Sequence, residues 1–282
     1  MKGHPLPEGH TIHRLARDLQ RNFAYKPLRV SSLQERFAAG ATRLDGLGLM
    51  LTEAHGKHLF VMFFGRPHIR ATQTGSGVVR EDLHVHLGLY GSFVIGKGPA
   101  PEPSGLLRLR LETDEHWADL RGATACELVT PDEITAIHDR LGPDPLRWRD
   151  SPKTAWAQIC RSSTSIGAQL MAQKVISGVG NVYRAEVLFR QRINPHRRGN
   201  DMFQEEFDEI WMDLTGIMRA GVRAGRIVTT RPEHRRRGRV RPEDAHYVYR
   251  RAGLPCRICG SEIRREVLLS RNLYWCPVCQ WN

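Results

Sequence analysis

The spacing of the apolar residues follows two patterns in the first half of the chain. From Ile12 to Leu19 these residues recur three and four positions apart, which predicts a helix over residues 11–22. From about residue 28 to residue 129, short apolar runs alternate with Gly, Pro and Asp, a pattern typical of antiparallel strands in a sandwich or barrel. The predicted strands are residues 47–52, 58–64, 83–87, 92–95, 106–111 and 125–128.

Helical spacing returns in the second half, after a Gly-Pro-Asp-Pro break at residues 142–145. The predicted helices are residues 166–176, 181–189 and 203–220. The pattern as a whole predicts an α+β fold in three domains. These are an N-terminal antiparallel β-sandwich with a flanking helix (1–130), a helical domain (131–250) and a compact cysteine-rich end (251–282).

The amino-acid composition indicates which binding partners the protein favours. The 282 residues carry a formal net charge of +12 and a pI near 9.9, which favours nucleic acid first and an anionic membrane surface second. The longest apolar run, residues 59–64, is far shorter than the ~20 residues of a spanning helix, and the first residues lack the apolar stretch of a signal peptide. We therefore expect a cytoplasmic, nucleoid-associated protein with no membrane partner.

The six cysteines favour metal binding over disulfides in such a protein. Four of them form two CxxC pairs, Cys256 with Cys259 and Cys276 with Cys279, separated by sixteen residues. Two such turns supply the four thiolates of a tetrahedral zinc site, and metal binding would provide the folding energy of so short a segment. We predict one structural Zn²⁺ here, rather than two chance pairs or a redox couple. The other two, Cys126 and Cys160, are isolated and predicted to be buried, inert thiols.

A glycine-rich turn joins two of the predicted helices within residues 173–189. Gly178 and Gly180 would let the backbone approach a phosphate, and the free N–H groups at the start of the second helix would attract an anion. The Asn181 amide is placed to donate to a phosphate oxygen, and Lys174 is a second candidate for DNA binding. Taken alone, the motif favours an ordinary helical hairpin with a glycine cap over a phosphate site. A dinucleotide-binding fingerprint is excluded, because Tyr183 stands where glycine is needed and no strand precedes the turn.

Three features occur here in the order found in the formamidopyrimidine-DNA glycosylase/endonuclease VIII family. They are Pro7-Glu8 before the first helix, the 173–189 segment and the terminal CxxC pairs. The chain resembles this family over nearly its whole length. The resemblance implies a helix-two-turns-helix domain and a zinc-finger hairpin behind the β-sandwich. It also implies a monomeric DNA glycosylase/AP lyase of base excision repair, acting on double-stranded DNA with oxidised or abasic sites.

The type of damaged base that we expect the protein to remove depends on the branch of the family that it resembles. Residues 89–91 and 181–184 resemble the endonuclease VIII branch more than the 8-oxoguanine/formamidopyrimidine branch. This resemblance implies oxidised pyrimidines such as thymine glycol as substrates, with the 8-oxoguanine branch as the alternative.

The resemblance assigns catalytic roles to four residues. Pro7 would be the nucleophile, because a proline at a free N-terminus is a secondary amine that can attack C1′ and form a Schiff base. Glu8 would be the general acid/base. Lys57 matches a lysine near the sugar and a phosphate, and Arg271 matches an arginine that binds the phosphates flanking the lesion. The alternatives are a helix-starting proline, a solvated turn lysine and an idle arginine.

Other positions match the family's DNA-contacting loops. Leu89 and Tyr90 would fill the space of the extruded base, unless they belong to the sheet core. In the family, one loop recognises the base opposite the lesion. Arg121 is the one residue of this chain that matches that loop. The basic segment 226–241 would follow phosphates or contact the extruded base, or form a solvated face. Its arginines are Arg226, Arg231, Arg235, Arg236, Arg237, Arg239 and Arg241.

One departure bears on the mechanism. Six residues precede Pro7, and an acylated proline nitrogen is an amide that cannot attack. We therefore expect translation to start at Leu6, read as Met and then removed. If residues 1–6 stay, the sequence instead predicts a damaged-DNA-binding protein without lyase activity. An RNA-binding zinc-ribbon protein fits the charge but leaves the Pro-Glu start unexplained.

Overall fold

The computed structural model describes residues 7–65, 78–236 and 238–281. The chain divides into two compact units, one with Pro7 and Thr11–Asp139 and the other with Glu8–His10 and Arg140–Asn282. The cysteine-rich end belongs to the second unit, and the predicted boundaries at 130 and 250 stay predictions. No helix in the described part of the chain has both the length and the apolarity needed to cross a membrane.

The first unit consists of helices and two antiparallel sheets. Its helices are α1 (Gly9–Phe23, whose first two residues count with the second unit), α2 (Glu35–Leu44) and α3 (Pro131–Asp139). Its strands are β1 (Arg29–Ser31), β2 (Gly48–His55), β3 (His58–Gly65), β4 (Val79–His86), β5 (Ser92–Lys97), β6 (Leu107–Glu112), β7 (His116–Arg121) and β8 (Ala125–Val129).

The two sheets form the predicted sandwich. One has the strand order β1-β6-β7-β5 and the other β2-β3-β4-β8, with every pair antiparallel. Alternate residues of β3, namely Leu59, Val61 and Phe63, are fully buried in a core shared with β6 and α1. Each such side chain contributes roughly 1.5–3 kcal/mol on burial. The α+β class and the N-terminal sandwich are therefore confirmed.

Four elements of this unit were not predicted. Helix α2 lies inside the stretch that was expected to hold strands only, and it buries Phe37, Ala41 and Leu44 at helical spacing. Strand β1 has a single buried residue, and β7 buries only a short run between polar ends. Helix α3 buries Ile137 alone, so its sequence carries almost no periodic signal.

The second unit is built around one buried helix. Its elements are α4 (Pro152–Ile159), α5 (Ile166–Gln169), α6 (Asn181–Arg190), α7 (Gln204–Ala224), β9 (Arg264–Leu268) and β10 (Arg271–Trp275). Every residue of α6 between its first and last is buried. One apolar cluster joins α6 to α7, and a second joins it to Tyr247–Tyr249 and the cysteine-rich end.

The predicted helix 166–176 is wrong in its extent, because α5 ends at Gln169. Turns follow up to Gly180, and Gly178 has a left-handed φ of 83°. The side chain of Gln173 closes this segment: its Nε2 donates to the Val179 carbonyl at 2.9 Å, and its Oε1 accepts from the Gly178 N–H at 3.0 Å. Hydrogen bonds from the Gln173 side chain to the backbone thus replace regular helical hydrogen bonds in this segment.

Candidate functional site

The carboxylate of Glu8 is held at the start of α6. Glu8 is almost completely buried, its Oε1 accepts the Val182 N–H at 2.9 Å, and its Oε2 accepts the Tyr183 N–H at 3.5 Å. The next residue, Gly9, donates its N–H to the Gly178 carbonyl at 2.8 Å. Donors at a helix N-terminus stabilise a carboxylate in its ionised form. The prediction that these N–H groups are free for a phosphate is therefore wrong, since the chain's own Glu8 occupies them.

Gly180 makes room for this carboxylate. A Cβ on Gly180 would lie 2.4 Å from Glu8 Cδ, closer than real Cβ contacts. The backbone φ of Gly180 is −124°, which any residue can adopt. Glycine is thus required here by the close approach of Glu8.

A buried arginine ties the start of α6 to β10. Arg184 is fully buried and its guanidinium donates to Asn181 Oδ1 and, at 3.1 Å, to the carbonyl of Asn272. Asn181 Nδ2 donates to the same carbonyl at 2.9 Å. Burial lowers the pKa of Arg184 to about 10, which leaves it charged at neutral pH. These bonds hold Asn181 beside the strand that begins with Arg271.

Arg271 is exposed next to the tip of the β9–β10 hairpin. The two tip residues, Leu269 and Ser270, have φ values of 49° and 60°. A turn with both central residues left-handed normally uses Asn-Gly, so this tip is strained by roughly 1–2 kcal/mol per residue. Lys174 is exposed in the turn that precedes α6. The structure thus places Asn181 and Arg271 on adjoining elements of this unit.

The four cysteines of the two CxxC pairs converge. Their sulfur atoms all lie within 4.8 Å of one another, and the Cys256–Cys279 and Cys259–Cys276 distances are 3.8 and 3.5 Å. Zn–S bonds of ~2.3 Å in a tetrahedron require sulfurs about 3.8 Å apart. The Ile258 N–H donates to Cys256 Sγ at 3.4 Å, as expected for a thiolate ligand in a zinc knuckle. The residues therefore fit one zinc ion.

Gln280 connects this cysteine cluster to the helices. It is fully buried, accepts the Cys276 N–H on its Oε1 at 2.9 Å, and donates its Nε2 to the Ile193 carbonyl at 2.9 Å. The other two cysteines lie elsewhere. Cys126 is buried, as predicted, and burial raises the pKa of its thiol to about 12. Cys160 is only half-buried, which corrects the prediction made for it.

The remaining predicted site residues lie in the first unit. Pro7 is half-buried just before α1, and Lys57 is half-buried in the two-residue turn between β2 and β3, where Gly56 has a φ of 59°. Leu89 and Tyr90 lie in the loop between β4 and β5, with 42% and 87% of their surface exposed. Both are therefore outside the sheet core, and their role in DNA stays a prediction.

Arg121, the predicted reader of the opposite base, is engaged in an ion pair. Its Nη1 lies 2.9 Å from Asp119 Oδ2. Asp119 also accepts both Nε and Nη2 of the buried Arg110, at 2.6 and 2.8 Å. Any contact of the Arg121 guanidinium with a DNA base would compete with its ion pair to Asp119.

The arginine-rich segment is a loop closed by a hydrogen-bonded neck. Thr229 donates its N–H to the Ala245 carbonyl at 2.9 Å, and Thr230 donates its hydroxyl to the Asp244 carbonyl at 2.7 Å. Behind the neck, the fully buried carboxylate of Glu186 accepts three successive N–H groups, those of residues 247–249, each at 2.8 Å. Arg237 lies outside the described residues. Sequence reasoning missed both Glu186 and Arg184, although charges inside an otherwise apolar helix were a visible signal.

Comparisons with known proteins match this architecture. The formamidopyrimidine-DNA glycosylase H2TH domain matches residues 141–232, and the zinc finger found in FPG and IleRS matches residues 253–280. Endonuclease 8 1 of Mycobacterium tuberculosis H37Rv is 48% identical over 281 residues, which are 98% of this chain and all of that protein. The chain belongs to the formamidopyrimidine-DNA glycosylase/endonuclease VIII family.

Other relatives of this glycosylase agree. Endonuclease 8 of Pectobacterium atrosepticum is 30% identical over 286 residues, covering 98% of this chain and 100% of that one. A solved complex of Lactococcus lactis Fpg with DNA containing an abasic site has a TM-score of 0.77 over 98% of this chain and 100% of that one, at 19% identity, and shows the shared fold. The protein is a DNA glycosylase and AP lyase of base excision repair, with one structural zinc ion.

Proposed function

We propose that this glycosylase removes oxidised bases, pyrimidines foremost, from double-stranded DNA and then cleaves the strand by β,δ-elimination through a Schiff base on Pro7. The observation that carries the proposal is the position of Glu8. Glu8 follows Pro7 directly in the chain, and two N–H groups of α6 hold its carboxylate in place. A fixed proton-transfer group beside a secondary amine is what glycosidic cleavage with strand scission requires.

Each chemical step then has a donor and an acceptor. The lone pair of the Pro7 nitrogen forms a bond to C1′ while the bond from C1′ to the damaged base breaks, and the base leaves with a proton. Glu8 passes protons between the Pro7 nitrogen, the sugar oxygen and the departing base, and the opened sugar becomes an iminium ion. Glu8 accepts the C2′ proton while the C3′–O bond breaks and the 3′ phosphate leaves. In a second elimination, the C4′ proton passes to Glu8 or water while the C5′–O bond breaks and the 5′ phosphate leaves. Water then hydrolyses the imine and frees Pro7.

Zinc takes no part in these steps. The four thiolates of the cysteine cluster would hold the ion and would leave no ligand position for water or substrate. Its contribution is to fold the hairpin that carries Arg271. That guanidinium, with Asn181, Lys174 and Lys57, would bind phosphates and the sugar around the lesion.

The substrate class rests on charge, exposure and relatives. A net charge of +12 favours a polyanion, and the exposed Leu89 and Tyr90 are suited to fill the space that an extruded base leaves. The relatives are Endonuclease 8 proteins, and one solved L. lactis Fpg complex, 20% identical, contains an oxidised pyrimidine in its DNA. We further propose that the protein acts on DNA as a monomer.

The second candidate function is binding of damaged DNA without lyase activity. The residues that favour it are those before Pro7, which lie outside the described part of the chain. Strand cleavage requires a Pro7 nitrogen that is not in a peptide bond. The active enzyme is therefore expected to lack residues 1–6.

Gly180→Ala tests the position of Glu8. In protein that begins at Pro7, we expect base removal to slow by about 100-fold, because a shift of ~1 Å in a reacting group has an effect of that size. Gly216→Ala in α7 is the matched control, since a Cβ there meets nothing within 4 Å and alanine suits a helix interior. Single-turnover base release from a lesion duplex measures both. An unchanged rate for Gly180→Ala would contradict the role given to Glu8.

A panel of duplexes with one lesion each tests the substrate class. Zinc-loaded protein beginning at Pro7 should cut thymine glycol and abasic sites at least about tenfold faster than 8-oxoguanine, the discrimination that ~1.4 kcal/mol of transition-state binding provides. A preference for 8-oxoguanine would instead indicate the substrate class of the 8-oxoguanine/formamidopyrimidine branch. Tight binding of every lesion with no cleavage would support the second candidate.

A further inference from the structure

The zinc knuckles border an open cavity that the proposed reaction does not use. Ile258 and Val278, the third residues of the two CxxC pairs, and Trp281 are all exposed there, Trp281 by 76%. The cavity measures about 440 Å³ and extends to the end of α6. A neighbouring cavity of about 140 Å³ shares Ile258 and Arg192 with it. We call these two adjoining cavities the knuckle groove.

Arginines surround the knuckle groove. Four of its lining residues are arginines, namely Arg190, Arg192, Arg197 and Arg231. Two of them are neutralised: Arg190 pairs with Asp213 and Arg197 pairs with Glu206, each at 2.6 Å. Within the described residues, Arg192 and Arg231 have no carboxylate partner. The groove therefore combines an apolar floor with unneutralised positive charge.

Arg192 occupies a backbone position where glycine is usual. It follows α6 with a φ of 56°, and the next N–H, that of Ile193, returns to the Leu188 carbonyl at 2.9 Å. This is the geometry of a left-handed helix cap, which glycine adopts without strain. An arginine in this strained backbone position at the edge of a groove points to a use for its guanidinium.

The knuckle groove is separate from the predicted phosphate contact of Arg271. That arginine begins β10 at the hairpin tip, whereas Cys276 and Val278 follow the other end of the same strand. The four residue-to-residue steps from Arg271 to Trp275, at ~3.3 Å each, place the two ends roughly 13 Å apart. A ligand in the groove can thus bind while Arg271 contacts DNA.

We propose that the knuckle groove binds an acidic peptide segment of a partner protein, with an apolar side chain of that segment seated between Ile258, Val278 and Trp281. Carboxylates of the peptide pair with Arg192 and Arg231, and an exposed tryptophan beside arginine is the composition of binding hot spots. A single-stranded nucleic acid fits less well, because it stacks on successive exposed aromatic rings, and of the large aromatic side chains that line the groove Phe189 and Tyr247 are buried and Trp281 is exposed. The site would link the repair enzyme to another protein without blocking DNA.

Random dodecapeptides displayed on phage and selected on the zinc-loaded full chain test the proposal. We expect the selected peptides to be acidic with at least one large apolar residue. Their synthetic, fluorescein-labelled forms should lose affinity by about tenfold or more with Trp281→Ala and with Arg192→Gly. Arg192→Gly relieves backbone strain, so its loss of affinity cannot be attributed to unfolding.

Two controls match these variants. Arg250→Gly removes a second exposed arginine with the same φ of 56°, and Met212→Ala removes an exposed apolar side chain of α7, both outside the groove lining. Neither should change peptide affinity. The proposal is overturned if no acidic peptides are enriched, if the groove variants bind them as tightly as the controls do, or if a labelled (dT)₁₀ strand displaces them from the groove.

Discussion

Protein that begins at Pro7 should cleave a lesion-containing duplex and form a covalent adduct with it in borohydride, whereas protein that retains residues 1–6 should do neither. A free α-amine has a pKa of ~7.7–8.0, so roughly a tenth of it is neutral and nucleophilic at pH 7. The nitrogen of Pro7 inside a peptide bond has no such lone pair. The difference in cleavage rate should exceed about 10³-fold, the scale of removing an essential nucleophile or base.

Two measurements accompany this comparison. Zinc content and affinity for the uncleaved duplex should be the same in both forms, which separates a blocked nucleophile from a misfolded protein. Mass spectrometry of the protein from its own host should give a chain that starts at Pro7. Equal cleavage by the two forms would rule out Pro7 as the nucleophile, and another amine would then have to form the adduct.

Loss of zinc should abolish tight DNA binding and strand cleavage. Structural zinc in small modules contributes about 10–16 kcal/mol to folding at neutral pH, far more than the few buried side chains of the β9–β10 hairpin can supply. Cys276→Ala removes a fully buried ligand. We expect the hairpin to unfold, Arg271 to lose its position, and the Asn272 carbonyl to leave the donors of Asn181 and Arg184.

Cys160→Ser is the matched control for this variant, because Cys160 is half-buried and lies outside the zinc cluster. It should bind one zinc ion and cleave at the parent rate. Circular dichroism should show that the β-sandwich, with its own apolar core, survives zinc loss. Normal cleavage by metal-free Cys276→Ala would show that the hairpin folds without zinc and that Arg271 is dispensable.

Much of the fold was predictable because burial on one side leaves a period in the sequence. The strands of the sandwich core and the long helices α1 and α7 were found in this way, within a few residues of their bounds. Two of the elements that were missed bury a single side chain and show no period: β1 has Val30 and α3 has Ile137. Helix α2 does bury Phe37, Ala41 and Leu44 at helical spacing, but it lies within the stretch that was expected to hold strands only. The over-extended helix at 166–176 ends early because Gln173 bonds to the backbone, which spacing does not reveal.

The candidate site was predictable only where it is local in sequence. The CxxC pairs and Pro7-Glu8 are contiguous motifs, so their chemistry could be read directly. The hydrogen-bond partners of Glu8 could not be predicted, because they are backbone N–H groups that lie 174 and 175 residues further along the chain. Backbone donors have no residue type, so no side-chain pattern indicates which carboxylate they will bind.

The neck of the arginine loop has an evolutionary consequence. Thr229 and Thr230 join Asp244 and Ala245, and Glu186 anchors the strand of chain that follows, so both ends of the loop are tethered independently of what lies between them. We therefore expect insertions, deletions or charge changes between these anchors to leave the helical scaffold intact. Such a loop can differ in length and charge while the helices behind it keep their structure.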